Sequence, residues 1–191
     1  GPITATAPAS LPFTLYREQM TDDSAKAFIE RVNFVAAVCP ESSIAPIDSV
    51  ALREIFLQMC WGSFSISQVK NLDVHSALRE WLSPEQAAFL KYAAPKSVEI
   101  SPRRRPAEIR YDAAAKRAVI GASFKDLFSF NPKSVSICGG KIVPTFEVLA
   151  PNGRPVQTTT NLEEFWKTSW QAVRRELKAR YPKHFPPTAP W

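Results

Sequence analysis

The sequence predicts an α+β chain: a small helical subdomain, then a small antiparallel β-barrel-like subdomain, an OB-like barrel being one such arrangement, and a C-terminal amphipathic helix. Three observations carry this. Apolar residues recur at helical spacing through the first half. At Ala93-Ala94-Pro95-Lys96 that period gives way to short runs rich in β-branched residues. A last stripe at i, i+3, i+4 and i+7 spacing then precedes Pro182. The expected division is a linker or tag-derived tail over 1–12, a helical subdomain over 13–94 and a β subdomain with its terminal helix over 95–191.

The opening stretch to Pro12 is rich in Ala, Pro, Thr and Ser without periodicity, and its Gly1-Pro2 start has the form of a protease scar. From Ser24, the residues Ala27, Phe28, Arg31, Val32, Val35, Ala36 and Cys39 put most of the apolar groups on one helical face, which ends at Pro40. A second helix runs from about Asp48, a natural N-cap, to Cys60, with Val50, Leu52, Ile55, Phe56 and Met59 as its buried stripe. Shorter helices fit Ser65–Lys70, Val74–Trp81 and Ser83–Tyr92, the last with Pro84 at the favoured first position.

Strands are expected near Ser97–Ile100, Ala107–Tyr111, Ala118–Ser123, Ser134–Cys138, Thr145–Leu149 and Pro155–Thr160. Gly139-Gly140 and Asn152-Gly153 supply turn positions that tolerate positive φ, and Asp112–Lys116 suits a longer hairpin loop. Phe124–Phe130 reads as one helical turn covering the sheet. Asn161 and Glu164 then form a capping-box pair ahead of Leu162, Phe165, Trp166, Ser169, Trp170, Val173 and Leu177, a single buried stripe in which both tryptophans are core.

Chemistry is conspicuous by what the sequence lacks. No G-x-x-x-x-G-K-[ST], G-x-G-x-x-G or G-x-S-x-G loop occurs, and six glycines leave little material for one. Asp22-Asp23 and Glu163-Glu164 sit where carboxylates favour a helix start. His75 falls in a helix as a packed or surface residue, and His184 has no activating neighbour in sequence. Cys39, Cys60 and Cys138, odd in number and far apart, read as small buried hydrophobes rather than a disulfide framework or zinc site. No apolar run approaches the roughly 20 residues that span a bilayer. The expectation is a soluble cytoplasmic piece with no catalytic residues, no metal and no cofactor of its own.

What remains is basic. Residues 1–95 hold 7 Lys/Arg against 10 Asp/Glu, whereas residues 96–191 hold 17 against 8. That asymmetry points to a polyanion partner for the second half. Arg103, Arg104 and Arg105, between Pro102 and Pro106, present guanidinium groups suited to phosphate. Arg174, Arg175, Lys178, Arg180 and Lys183 extend the basic set, and Tyr181, His184 and Phe185 are candidates for base stacking. Reversing the arginine triplet is expected to weaken nucleic-acid binding more than reversing Lys26 and Arg31.

The stretch Phe146-Glu147-Val148-Leu149-Ala150-Pro151-Asn152-Gly153-Arg154-Pro155-Val156-Gln157-Thr158-Thr159, followed by Asn161-Leu162, Phe165-Trp166 and Arg180-Tyr181-Pro182-Lys183-His184, resembles the C-terminal signature of HrpB-type DEAH-box ATP-dependent helicases. Order and spacing agree with that family's L-S-P-x-G-R-P-x-Q-x-T, D-L-x-x-F-W and R-Y-P-K-H stretches. Ala94-Pro95, Ile109-Arg110-Tyr111-Asp112 and Phe124-Lys125-Asp126-Leu127-Phe128 are similar to further family stretches, so the likeness runs from about Ala94 to His184. Departures are Asn161 for Asp, Ser129 for Gly, and Phe185-Pro186-Pro187 where the family has P-W-P. The resemblance implies a bacterial parent that uses ATP and Mg in RecA-like motor domains upstream. It gives this piece an accessory role, binding single-stranded RNA or DNA or bracing the motor domains. The alternative is a protein-interaction module, docking on the parent or a partner without touching nucleic acid.

Overall fold

A computed structural model describes residues 23–61, 67–68 and 71–184. The expected tail over 1–12, most of the Ser65–Lys70 helix and the Phe185-Pro186-Pro187 stretch lie outside the described residues. The chain divides into two compact units, one within Gly1–Tyr92 with Asp112–Ala114, the other within Ala93–Tyr111 and Ala115–Trp191.

The first unit is helical, as the apolar period requires. Helix α1 (Asp23–Val38) buries Ala25, Ile29, Val32, Phe34 and Val35. Arg31, placed by its period on the apolar face, is indeed buried, at 8% exposure. Helix α2 (Ser49–Cys60) starts at Asp48, whose carboxylate accepts the Ala51 N–H at 2.8 Å. Helix α3 (Val74–Glu80) is capped by Asp73, and α4 (Pro84–Ala93) opens on a reciprocal box. There Ser83 Oγ accepts the Gln86 N–H at 3.1 Å while Gln86 Oε1 accepts the Ser83 N–H at 3.0 Å. Three side chains hold the loop between α1 and α2. Asn33 bonds both the N–H and the C=O of Ile47, Trp81 Nε1 donates to the Ala45 carbonyl at 3.1 Å, and Gln86 Nε2 donates to that of Ser43 at 2.9 Å. Val50, assigned to the buried stripe of α2, is instead 64% exposed. The buried side is Ala51, Ile55, Phe56 and Cys60, and Val50 lies across the helix from it.

The second unit carries a five-stranded sheet in the order β1 (Ser97–Val98), β2 (Ala107–Asp112), β3 (Arg117–Ser123), β4 (Thr145–Leu149), β5 (Pro155–Thr159). Alternation along β2, β3 and β4 sends Ile109, Tyr111, Ala118, Ile120, Ala122, Phe146 and Val148 inward. Positive φ at Gly139, Gly140 and Gly153 matches the turn chemistry expected there.

Three features of the expected sheet are corrected. Strands β3 and β4 pair in parallel, with Ile120 opposite Phe146, because the chain from 124 to 144 is long enough to return to the starting end. The order leaves β1 and β5 as edges, so the sheet is open and does not close as a barrel. The expected strand over Ser134–Cys138 is instead a pair of 3-10 turns, Pro132–Ser134 and Cys138–Gly140, with an isolated bridge between Ile137 and Ile142. Pro132 sets the first turn and the left-handed Gly139 the second, so Val135 and Ile137 alternate in burial without a partner strand.

Helical segments α5 (Phe124–Leu127), α6 (Leu162–Lys167) and α7 (Trp170–Arg180) complete this unit. Asn161 Oδ1 accepts the Glu164 N–H at 3.0 Å, as the capping pattern anticipates, while the Asn161 N–H goes to Thr159 Oγ1. The expected single terminal helix is broken at Thr168–Ser169, where Thr168 Oγ1 donates to the Glu164 carbonyl at 2.8 Å. The break lets two aromatic rings turn toward one cluster. Trp170, 1% exposed, lies 5.5 Å from Phe124, 5.1 Å from Phe128, 5.3 Å from Trp166 and 6.1 Å from Phe165, ring centre to ring centre. Edge-to-face geometry with Phe128 and Trp166 is the favoured arrangement of their quadrupoles. Phe130 against Phe146, at 5.9 Å, joins the segment after α5 to the inner face of the sheet.

Candidate nucleic-acid interface

The basic residues singled out by sequence stand on two elements of the second unit. Pro102 at the second position of a turn, closed by the Arg104 N–H donating to the Ser101 carbonyl at 3.1 Å, projects Arg103, Arg104 and Arg105 as exposed side chains. Helix α7 buries Trp170 and Leu177, and that leaves Arg175, Lys178 and Arg180 exposed and Arg174 half-buried beside the apolar stripe. Four cations and one carboxylate occupy its eleven residues. Neighbouring positions three and four apart place Arg174, Arg175 and Lys178 within reach of one backbone.

The cations differ in their occupation. Arg104 pairs with the half-buried Asp126 at 3.6 Å, and Arg180 with Glu176 at 3.3 Å, the latter between two exposed side chains where such a pair stabilises little. Lys167 holds Glu163 at 2.8 Å, and this contact, then the lysine's charge, keeps the Glu163 carboxyl below its ordinary range. Among the described residues, Arg103, Arg105, Arg174, Arg175 and Lys178 have no carboxylate at ion-pairing distance, although Arg175 Nε donates to the Gln171 carbonyl. Tyr181 ends α7 half-buried with its N–H on the Leu177 carbonyl. Lys183 is exposed in the following 3-10 turn, which His184 closes; the His184 side chain is outside the described part. The arginine turn and α7 are linked through α5: Asp126 receives Arg104, and Phe124 stacks on Trp170 at the start of α7.

Sequence reasoning missed an ion pair on the outer face of the sheet. Arg110 of β2 donates to Glu147 of β4 at 2.6 Å across β3, where Gly121 opposite Glu147 leaves the space clear. Opposite charges on β2 and β4 are legible as a pair only once the strand order is known. His75 bonds Ser24 Oγ at 2.9 Å, and all three cysteines are buried, with burial pushing the Cys60 thiol up. Among the described residues no three His, Cys, Asp or Glu converge as metal ligands, and no helix is long and apolar enough to cross a membrane.

A family model described as ATP-dependent helicase C-terminal, HrpB_C, matches residues 56–190. The chain belongs to the HrpB C-terminal family. The match reaches back to Phe56, past Ala94 where the recognisable motifs begin, so the α3 and α4 region shares the family pattern too. The ATP-dependent RNA helicase HrpB of Escherichia coli (strain K12) is 33% identical over 156 residues, 81% of this chain and 18% of that protein. Two solved structures share the fold. A crystal structure of the E. coli DExH-box NTPase HrpB superposes with a TM-score of 0.73 at 26% identity, covering 90% of this chain and 22% of that one. A crystal structure of the Escherichia coli DEAH/RHA helicase HrpB gives 0.64 at 26%, covering 85% and 21%. The chain therefore spans about a fifth of the length of the HrpB proteins it matches.

Proposed function

We propose that this HrpB C-terminal region is the non-catalytic accessory end of an ATP-dependent helicase, and that its second unit engages the phosphate backbone of single-stranded RNA or DNA. The observation that carries this is the set of exposed or half-exposed cations without carboxylate partners, Arg103 and Arg105 on the turn after β1 and Arg174, Arg175 and Lys178 on α7. Guanidinium and ammonium groups so placed exchange condensed counterions for protein contacts, which gives affinity without sequence choice. Tyr181 and Lys183 continue the surface, the first as a ring for stacking. ATP and Mg belong in this reading to the motor domains of the parent, since this chain carries no phosphate loop.

The test is fluorescence anisotropy with labelled single-stranded RNA and DNA at low salt. Combined reversal of Arg174, Arg175 and Lys178 to Glu should raise Kd more than reversal of Lys26 and Arg53, two exposed cations of the first unit. Arg31 is unsuitable for that comparison because it is buried, and its reversal would unfold α1. Equal effects from the two sets, or no binding by the parent sequence, would remove the proposal.

A further inference from the structure

The arginine turn lies in the connection over 99–106 between β1 and β2, which pair through Val98 and Ala107. Pro102 and Pro106 fix two backbone angles there but have no N–H to donate, and the Arg104 N–H on the Ser101 carbonyl closes the turn without tying it to the rest of the unit. A side chain supplies the tie. Arg104 Nε, the guanidinium nitrogen nearest the backbone, stands 3.6 Å from Asp126 Oδ2. Asp126 is firmly based: it sits between Phe124 and Leu127, which are 2% and 0% exposed, in a helical turn that Ser123 caps by accepting the Lys125 N–H at 3.3 Å. The same α5 turn packs Phe124 on Trp170, the first residue of α7, at 5.5 Å. Asp126 therefore stands between the two basic elements, holding one through its carboxylate while its own helical turn holds the other.

We infer that Asp126 is a positioning residue of the candidate nucleic-acid surface: through Arg104 it fixes the arginine turn relative to α7, so that Arg103 and Arg105 meet the same single strand as Arg174, Arg175 and Lys178. The inference rests on the phosphate-binding reading above and adds to it how two separate elements act as one surface. By charge alone a carboxylate at this place weakens the attraction for a polyanion, and by holding Arg104 it takes one guanidinium away from the strand. Its benefit lies in order instead. Side chains already set at the spacing of a backbone lose less freedom on binding. An ion pair with an exposed arginine adds little to the stability of the fold, yet the same preference, up to about fivefold, is enough to bias the direction in which a turn points. Charge and position give opposite signs for the loss of Asp126, so one substitution separates them.

Anisotropy with a labelled oligouridine strand at low salt, on the 191-residue chain, tests this. D126N keeps the shape of the side chain and removes its charge, and it should raise Kd about threefold, inside that fivefold range. D126E retains the carboxylate and should bring Kd back toward that of the unaltered chain. In an R104Q chain the tie is already gone, so adding D126N there should leave Kd unchanged or lower it. The urea midpoint of D126N should stay close to that of the unaltered chain, which shows that the change in Kd reports the surface and not the fold. A Kd that D126N leaves unchanged or lowers while Arg104 is present overturns the inference and leaves phosphate binding standing. A D126N loss of equal size with and without Arg104, or one matched by a fall in the urea midpoint that D126E does not restore, overturns it as well. No binding by the unaltered chain removes the phosphate-binding reading and this inference with it.

Discussion

Trp170 sits at the centre of the aromatic cluster with its indole Nε1 buried and, among the described residues, without a hydrogen-bond partner. Two substitutions therefore have different consequences. Trp170→Ala removes the ring that Phe124, Phe128, Phe165 and Trp166 pack upon and leaves a cavity, for which the usual cost is about 3–5 kcal/mol. Trp170→Phe keeps most of the ring. It gives up a few tens of Å² of apolar area, about 1 kcal/mol at roughly 25 cal/mol per Å², but it also removes a donor whose burial costs about 1–3 kcal/mol. The two effects nearly cancel, so the Phe variant should lie within about 1 kcal/mol of the parent. Urea unfolding followed by near-ultraviolet circular dichroism, which reads this cluster, would give both values. A Phe variant as unstable as the Ala variant would refute the reasoning, because it would mean that the indole N–H makes an indispensable bond.

Four further outcomes follow from the geometry. Asn161→Ala removes the side-chain acceptor of the Glu164 N–H and should cost about 1 kcal/mol in the same urea assay, with Asn161→Asp close to neutral. Gly153→Val places a β-branched residue at φ +81° in the turn between β4 and β5, and should cost about 1–2 kcal/mol, read as a lowered thermal midpoint. Gly121→Leu should displace the Arg110–Glu147 pair, since a Cβ there already sits in contact with the carboxylate at 3.7 Å and the rest of the side chain needs further room; with Arg110 exposed the loss should be about 1 kcal/mol, and a much larger one would show a tighter network. The side-chain and backbone hydrogen bonds from Ser76 hold the Asp73 carboxyl below its ordinary 3.8. A group depressed in the folded state stabilises above its unfolded pKa and loses that contribution as pH falls through the folded one. The thermal midpoint should therefore drop below about pH 3.8, and less so in Asp73→Ser, which keeps a cap without the charge.

Many helix starts were legible because their signals are local. Asp48, Ser83 and Asn161 cap where their spacing to the following apolar stripe says they should, and Phe124–Leu127 forms the helical turn that the aromatic spacing indicates. The sheet was legible strand by strand but not in its pairing. Val119 and Ile120 alternate identically whether β4 runs with β3 or against it, so nothing in the sequence distinguishes a parallel partner from the expected hairpin order. Val135 and Ile137 carry strand propensity and alternating burial, yet the turns on either side leave them one bridge rather than a ladder. The break at Thr168 depends on a side chain bonding its own helix, a competition that the apolar stripe does not record. Among the candidate interface residues, type and exposure could be read ahead. Occupation could not, because the carboxylates that take up Arg104 and Arg180 are Asp126, on another element, and Glu176, one turn back.

The central claim is that phosphate contacts from Arg103, Arg105, Arg174, Arg175 and Lys178 bind single-stranded nucleic acid. The salt dependence of that binding tests it most directly, with affinity measured by anisotropy across a series of salt concentrations. Each phosphate contact on a single strand contributes a slope of about −0.7 in log K against log salt. If all five side chains engage, the slope should be about −3.5, falling toward about −1.4 when Arg174, Arg175 and Lys178 are reversed. A flat salt dependence, or one that the triple reversal leaves unchanged, would contradict the account.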